Sequence, residues 1–268
     1  MSDASTKNIA ASWFPGHMAT GLRAVLESAD LIDVVLEVRD ARIPRSTSVA
    51  KLHRRLKNKP TFVLLNREDL ADPSLTRAWL ATLQKAGTAA FSAVGTRAAS
   101  LRSLRTALLA CKSKRSRIRI AVVGAPNTGK SSVINALIRR KSAAAHDKPG
   151  VTKQVRWIPL DSRAEVLDTP GVLEPKITNA QVAWQLALCG ILPESAFDLE
   201  HVAAQFAAWL AAHRPEYSGA ADLETFARRH GMLQSGGEPD RLNAARVLIK
   251  EFRAGKFGRF TFEDPKAI

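Results

Sequence analysis

The chain has 268 residues, 46% of them apolar, with a formal net charge of +15 and a pI near 10.4. This length and apolar content allow one large domain or two ordinary ones, and they exclude a disordered polypeptide. No apolar run is long enough to span a bilayer, residues 1–10 lack the apolar core of a signal peptide, and the two cysteines, Cys111 and Cys189, have no paired spacing. The cysteines read as buried free thiols of a reducing compartment, with no zinc or disulfide framework.

The charge is unevenly placed. From Pro73 to His146 there is no Asp or Glu, against 14 Lys or Arg. Residues 1–174 hold 29 basic and 14 acidic residues, and residues 175–268 hold 11 of each. The excess therefore lies in the first two thirds of the chain, and a surface of that kind attracts a polyanion such as nucleic acid.

In chain order, helical patterns at His17 to Ala29 and Val49 to Leu56 flank a β-branched strand at Asp33 to Val38. Strands at Thr61 to Leu65, Thr88 to Phe91 and Ile118 to Val123 alternate with helices at Pro73 to Ala86 and Leu101 to Ala110. A helix at Ser131 to Arg140, a polar loop through Asp147 to Gly150, and strands at Lys153 to Leu160 and Ala164 to Leu167 follow. Strands alternating with helices predict an α/β domain, a mostly parallel sheet covered on both faces. Beyond Gly171 the pattern is helical: Asn179 to Cys189, Leu199 to Ala212, Asp222 to His230 and Asp240 to Ala254. Asp240 suits an N-cap and Gly255 a C′ position. The expected division is residues 1–174 for the α/β domain and residues 175–268 for a smaller all-helical one. Phe206, Trp209, Phe226 and Phe252 are expected in its core.

Gly124 to Ser131 (GAPNTGKS) fits the phosphate-loop pattern G-x-x-x-x-G-K-S, after a strand and before a helix. Its backbone N–H groups, at Asn127, Thr128, Gly129 and on to Ser132, face phosphates at a helix N-terminus. Lys130 reaches the β- and γ-phosphates, and the Ser131 hydroxyl binds Mg²⁺. Asp168-Thr169-Pro170-Gly171 follows a short strand. Asp168 is placed to hold Mg²⁺ through water, and the Gly171 N–H to meet the γ-phosphate. Thr152, between these segments, is the natural second hydroxyl ligand of Mg²⁺. Asn127 either stabilises the loop or ligates a K⁺ ion beside the phosphates.

Two further segments end consecutive strands. In Asn66-Arg67-Glu68-Asp69, the Asp69 carboxylate accepts from N1–H and the 2-amino group of guanine, a pair adenine lacks. Asn66 meets the other edge of the base or ties loops together. Arg67 stands where Lys is usual, and its planar group can cover the base. Ser92-Ala93 offers a backbone N–H to the guanine oxygen. In an ordinary GTPase the phosphate loop comes first and the base-reading motif later. Here the order is reversed, so the chain resembles a circularly permuted P-loop GTPase. Val172 stands where many GTPases carry the Gln that orients the attacking water.

With Trp13 to Met18 (WFPGHM), Val38 to Pro44 (VRDARIP), the nucleotide motifs in permuted order and the tail Phe252 to Arg259 in view, the chain is similar over nearly its whole length to the ribosome biogenesis GTPase A family, the YlqF type. The resemblance implies a cytoplasmic GTPase that cycles between GTP and GDP and acts late in assembly of the large ribosomal subunit, contacting rRNA and ribosomal proteins and stimulated by that subunit. It implies that His17 takes part in hydrolysis beside Lys130 and Gly171, and that K⁺ acts through Asn127. A monomer is expected. Arg253, Lys256 and Arg259 are candidate contacts to RNA phosphates, with Phe257 and Phe260 either stacking on bases or returning to the core at a helix end. Two other functions remain open to the sequence. One is an RNA-binding module with a structural nucleotide. The other is a small-subunit assembly GTPase, a type that usually adds a barrel and a zinc-binding extension.

Overall fold

The computed structural model describes residues 25–49, 59–138, 156–171, 179–220 and 222–267, with positions 23, 52, 55, 56 and 177 beside them. The chain folds into two compact units.

The first is built on a six-stranded sheet: β1 Val34–Asp40, β2 Thr61–Asn66, β3 Ala89–Ala93, β4 Ile118–Val123, β5 Arg156–Pro159 and β6 Ala164–Asp168. Its spatial order is β3-β2-β1-β4-β6-β5, parallel throughout except for the antiparallel edge strand β5. Side chains alternate between the two faces of a strand, and both faces are covered here, which is why the strands read as unbroken apolar runs. On one face Val34, Leu36, Val38, Ile120, Val122 and Val166 pack with Leu104 and Leu108 of α2 (Arg102–Leu109) and Val133 and Leu137 of α3 (Lys130–Ile138). On the other, Val35, Val123 and Leu167 pack with Val25 and Leu52. Val63 and Leu65 meet Trp79 of α1 (Pro73–Lys85), whose N-cap Asp72 accepts from the backbone N–H groups of Ser74 and Leu75.

β1 runs two residues further than the apolar pattern predicts. The extra Arg39 and Asp40 stay in the strand because their charges are met inside the fold. Arg39 pairs with Glu37 at 2.6 Å, and Asp40 receives Arg42 at 2.8 Å. The β3 span likewise slides to include Ser92 and Ala93, held by the ladder to Leu65 and Asn66.

The second unit spans Thr178–Arg259 and contains α4 Ala180–Leu188, α5 Leu199–His213, α6 Leu223–Arg229 and α7 Arg241–Arg253. Asn179, Asp198, Asp222 and Asp240 cap the four helices through their side chains, Asp240 as its sequence position predicts. Gly255, at φ 79°, closes α7 in the left-handed conformation that a C′ glycine supplies. Phe206 is fully buried and meets Phe252 edge-on at 4.8 Å and Phe257 at 5.8 Å. Trp209, expected in the core, is only half-buried and stacks on His213 at 4.5 Å. Among the described residues no helix is long and apolar enough to cross a membrane.

The division differs from the expected 174/175 boundary. The break falls after Ile177, and Phe260–Ile268 belong with the sheet unit. The physical reason is where the tail's polar groups find partners. The Phe260 N–H donates to Leu70 O at 2.9 Å and the Phe262 N–H to Arg42 O at 2.9 Å. Glu263 is buried, accepting from the backbone N–H groups of Arg45 (2.5 Å) and Ser46 (3.0 Å) and from the Ser46 hydroxyl. Burial pushes its carboxyl above the ordinary value, against the opposing pull of those hydrogen bonds.

Candidate nucleotide site

Because β1, β2, β3, β4 and β6 are parallel, their C-terminal ends share one edge of the sheet. The register sets Asp40 opposite Asn66, Asn66 opposite Ala93, and Val122 opposite Asp168. Loops at such an edge are where open α/β sheets bind ligands. All the described motif residues meet there, whatever their order along the chain.

The phosphate loop is shaped by backbone conformations that few side chains permit. Gly124 has φ 149°, and a Cβ there would lie 2.2 Å from Val38 O. Asn127 has φ 55°, a left-handed value that Asn tolerates better than most residues. The fully buried Thr128 closes the loop by donating its hydroxyl to Ala125 O at 3.0 Å. Lys130 is buried, and its Nζ donates to Gly124 O at 3.2 Å and Ala125 O at 2.9 Å. Burial lowers its pKa to about 8, with the Asp168 carboxylate opposing the shift. Asp168 is itself buried, and Thr169 fixes the following turn by donating its hydroxyl to Val122 O at 2.6 Å. Gly171 lies against the phosphate loop: a Cβ there would fall 2.7 Å from Pro126 Cα. Ser131 and Ser132 sit half-buried in the first turn of α3.

The base-reading side is tied to this loop by Asn66. Its Nδ2 donates to Thr128 O at 2.7 Å, and its Oδ1 accepts from the Gly95 N–H at 2.7 Å. Of the two roles open to Asn66 in the sequence, the structure shows the loop-tying one. Arg67, at φ 62°, donates to Asn127 O at 2.7 Å and to Asp40 Oδ2 at 3.3 Å. Its guanidinium spans from the phosphate loop to β1. Asp40 is fully buried. Burial pushes its carboxyl up, but the paired Arg42 and the nearby Arg67 hold it below the ordinary value. Asp69 and Ser92 are half-buried, and Ala93 is buried.

His17, Thr152 and Val172 lie outside the described residues. Three positions that matter here were not singled out by sequence reasoning: Gly95, Thr169 and Glu263. Gly95 carried a legible signal, being the first glycine after Ser92-Ala93. The proposed RNA contacts fare unevenly. Arg253 donates to Leu188 O and Ala187 O at the end of α4, and Lys256 pairs with Glu251 at 2.6 Å. Arg259 is exposed. Phe257 and Phe260 are buried, so the stacking of these rings on bases is not available: apolar packing has taken them inside.

A phosphate loop, a Mg²⁺-side Asp-x-x-Gly and a guanine-side Asn-x-x-Asp on one parallel edge, in this chain order, define a circularly permuted P-loop GTPase. Comparison with known proteins narrows the class. Residues 119–207 match the family model described as 50S ribosome-binding GTPase. The ribosome biogenesis GTPase A of Priestia megaterium is 36% identical over 94% of this chain and 96% of its own length. That of Thermotoga maritima is 34% identical over 96% and 95%. Among solved structures, GDP-bound YlqF superimposes with a TM-score of 0.69 at 31% identity, covering 91% of this chain and 100% of the other. YlqF from T. maritima bound to GNP gives 0.68 at 32%, covering 92% and 98%. The chain belongs to the ribosome biogenesis GTPase A family.

Two outcomes follow from this geometry. Asn66→Ala removes two buried hydrogen bonds that span the site, and GDP affinity measured by fluorescent-nucleotide titration should fall by ~1–3 kcal/mol. Unchanged affinity would show that the carboxamide does not hold the loops for binding. Phosphate favours the charged form of Lys130, so nucleotide binding raises its lowered pKa. Proton uptake should accompany GDP binding at about pH 8.5, where the free ammonium is partly deprotonated, and vanish at about pH 6.5. Calorimetry in two buffers of different ionisation enthalpy reads this directly. Equal heats in both buffers at the higher pH would contradict it.

Proposed function

We propose that this chain binds and hydrolyses GTP as a switch in late assembly of the large ribosomal subunit, in the cytoplasm, with the basic first part of the chain gripping rRNA. The observation that carries the reading is the convergence of Lys130, Asn66, Ala93 and Asp168 to Gly171 on one sheet edge. Membership of a family named for ribosome biogenesis supports the destination, and the lack of acidic residues from Pro73 to His146 supports a polyanionic surface as partner.

In this reading Lys130 exchanges its two carbonyl partners for β- and γ-phosphate oxygens. The first turn of α3 and the loop N–H groups take the remaining phosphate charge. Asp69 reads guanine, with the N–H at Ala93 toward the guanine oxygen. Ser131, Thr152 and Asp168 offer a hydroxyl and carboxylate set that suits a hard divalent ion, and Asp168 lies close enough to Lys130 to affect its titration. Mg²⁺ held by these residues would neutralise charge at the phosphates. Gly171, without a side chain, brings its N–H to the γ-phosphate beside Pro126. Val172 offers no polar group to orient water, and His17 takes that role. The side-chain oxygen of Asn127 would hold a K⁺ ion, which would supply positive charge beside the phosphates where other systems use an arginine finger. Gly171 precedes the second unit by only a few residues, so ordering of its loop around γ-phosphate passes along the chain directly into the helices.

GTP turnover should rise with purified large subunits and remain basal with small ones. Large-subunit binding should be tighter with a non-hydrolysable GTP analogue than with GDP, and should weaken steeply with salt. Stimulation by small subunits alone would redirect the assignment, and identical affinity in both nucleotide states would leave a constitutive RNA binder.

Turnover should also be faster in K⁺ than in Na⁺ at matched ionic strength, and His17→Ala should lower the stimulated kcat with little change in nucleotide affinity. Equal rates in the two salts discard the Asn127 cation, and a normal His17→Ala kcat discards the histidine.

A further inference from the structure

The loop that carries Asp69 is held from two directions. On its leading side, Arg67 donates to Asn127 O and to Asp40. On its trailing side the partners come from the far end of the sequence. Leu70 O accepts from the Phe260 N–H at 2.9 Å. The Asp72 N–H donates to the Thr261 hydroxyl at 3.1 Å, and that hydroxyl donates in turn to Ala41 O at 3.2 Å. Thr261 therefore uses its donor and one acceptor site to join the Asp69 loop to the segment that follows β1. The Phe262 N–H donates to Arg42 O at 2.9 Å, next to the Asp40–Arg42 pair that also receives Arg67. The tail is then locked by Glu263 on the N–H groups of Arg45 and Ser46, by Trp79 Nε1 donating to Glu263 O at 2.8 Å, and by Arg45 donating to Asp264 O at 2.9 Å and Ala267 O at 3.0 Å. Arg45 also lies over the Trp79 ring, 5.5 Å from its centroid.

We propose that residues 260–264 are a clasp that positions the guanine-reading loop, with Thr261 as its central positioning residue. The proposal rests on the assignment of Asp69 to the base. Without the tail the loop keeps Arg67, the Glu68 N–H on Ala93 O at 3.3 Å and its own turn bond from the Leu70 N–H to Arg67 O at 2.9 Å, but Leu70 O and the Asp72 N–H, on the trailing side of Asp69, lose their partners. Fastening Leu70 O and the Asp72 N–H fixes the carboxylate between two anchors, and a positioned group discriminates better than a mobile one. The clasp therefore sets the preference for guanine over a base without the 2-amino group, and the residence time of GDP. The same segment continues directly from Arg259, the last residue of the helical unit. A load on that unit is thereby passed along the chain to the base loop, as well as to the Gly171 loop at its other end.

The test compares GDP with inosine diphosphate, which lacks the 2-amino group, on the full chain and its variants. Thr261→Val keeps shape and removes both hydroxyl bonds, and Thr261→Ser keeps them. GDP dissociation from Thr261→Val should quicken about tenfold, from two hydrogen bonds of ordinary strength. Its GDP-to-inosine-diphosphate affinity ratio should shrink, while Thr261→Ser restores both values. Glu263→Gln cannot accept the same set of donors and should shift the ratio in the same direction. It carries the test if the Val variant does not fold. Equal weakening of both nucleotides, with a lowered Tm and an unchanged ratio, would reduce the tail to a structural strap and overturn the proposal. Asp69→Asn is the control for the premise. A ratio that it leaves unmoved overturns the base assignment, and the clasp with it. A ratio that collapses in Asp69→Asn but not in the tail variants overturns the clasp alone.

Discussion

Asn66 gives one N–H to Thr128 O and takes one from the Gly95 backbone, so a single carboxamide spans the phosphate loop, the end of β2 and the loop after β3. A Cβ on Gly129 would lie 2.3 Å from its Nδ2, and one on Gly95 2.6 Å from its Oδ1. Both glycines are thus fixed by the space that the carboxamide occupies. Buried amide groups are costly unless satisfied, so the three loops hold one arrangement rather than several. The remaining parts of the site are arranged around this tie: Arg67 on Asn127 O, Lys130 on the loop carbonyls, and Gly171 against Pro126.

Permutation changes the covalent path, and the sheet does not register it. The order β3-β2-β1-β4-β6-β5 and the parallel register bring the base-reading and phosphate-binding halves to one edge. What permutation does change is where the ends go. The segment after β6 continues into helices, and the last residues return to the sheet unit at Leu70 and Arg42. Asp40 shows how the returning segment is accommodated. Its charge is met by Arg42 and Arg67, which leaves the carbonyls of Ala41 and Arg42 to accept from the tail.

Charge follows the same division of labour. Residues 175–268 carry 11 basic and 11 acidic groups, and several of the basic ones are engaged: Arg253 on the end of α4, Arg241 on Glu224 at 2.6 Å, Lys256 on Glu251. The net excess, 29 basic over 14 acidic residues, lies in residues 1–174.

Much was legible in the sequence. The phosphate loop, Asp168 to Gly171 and the two base-side segments are short, contiguous patterns whose chemistry is local, and the helix cap at Asp240 depends on a neighbour three residues away. The β/α alternation gave the parallel sheet for the same reason. Only the tertiary structure decided that Asn66 ties the phosphate loop to the loop after β3, that Arg67 reaches Asn127 O, that Phe257 and Phe260 are buried, and that Phe260 onward belongs with the sheet unit. Each of these turns on a partner tens to hundreds of residues away, such as Glu263 on Ser46, or Thr261 on Ala41. Periodicity and motif spacing record what a residue does with its chain neighbours. Which distant carbonyl or amide satisfies a buried polar group is set by the packing of the whole sheet edge.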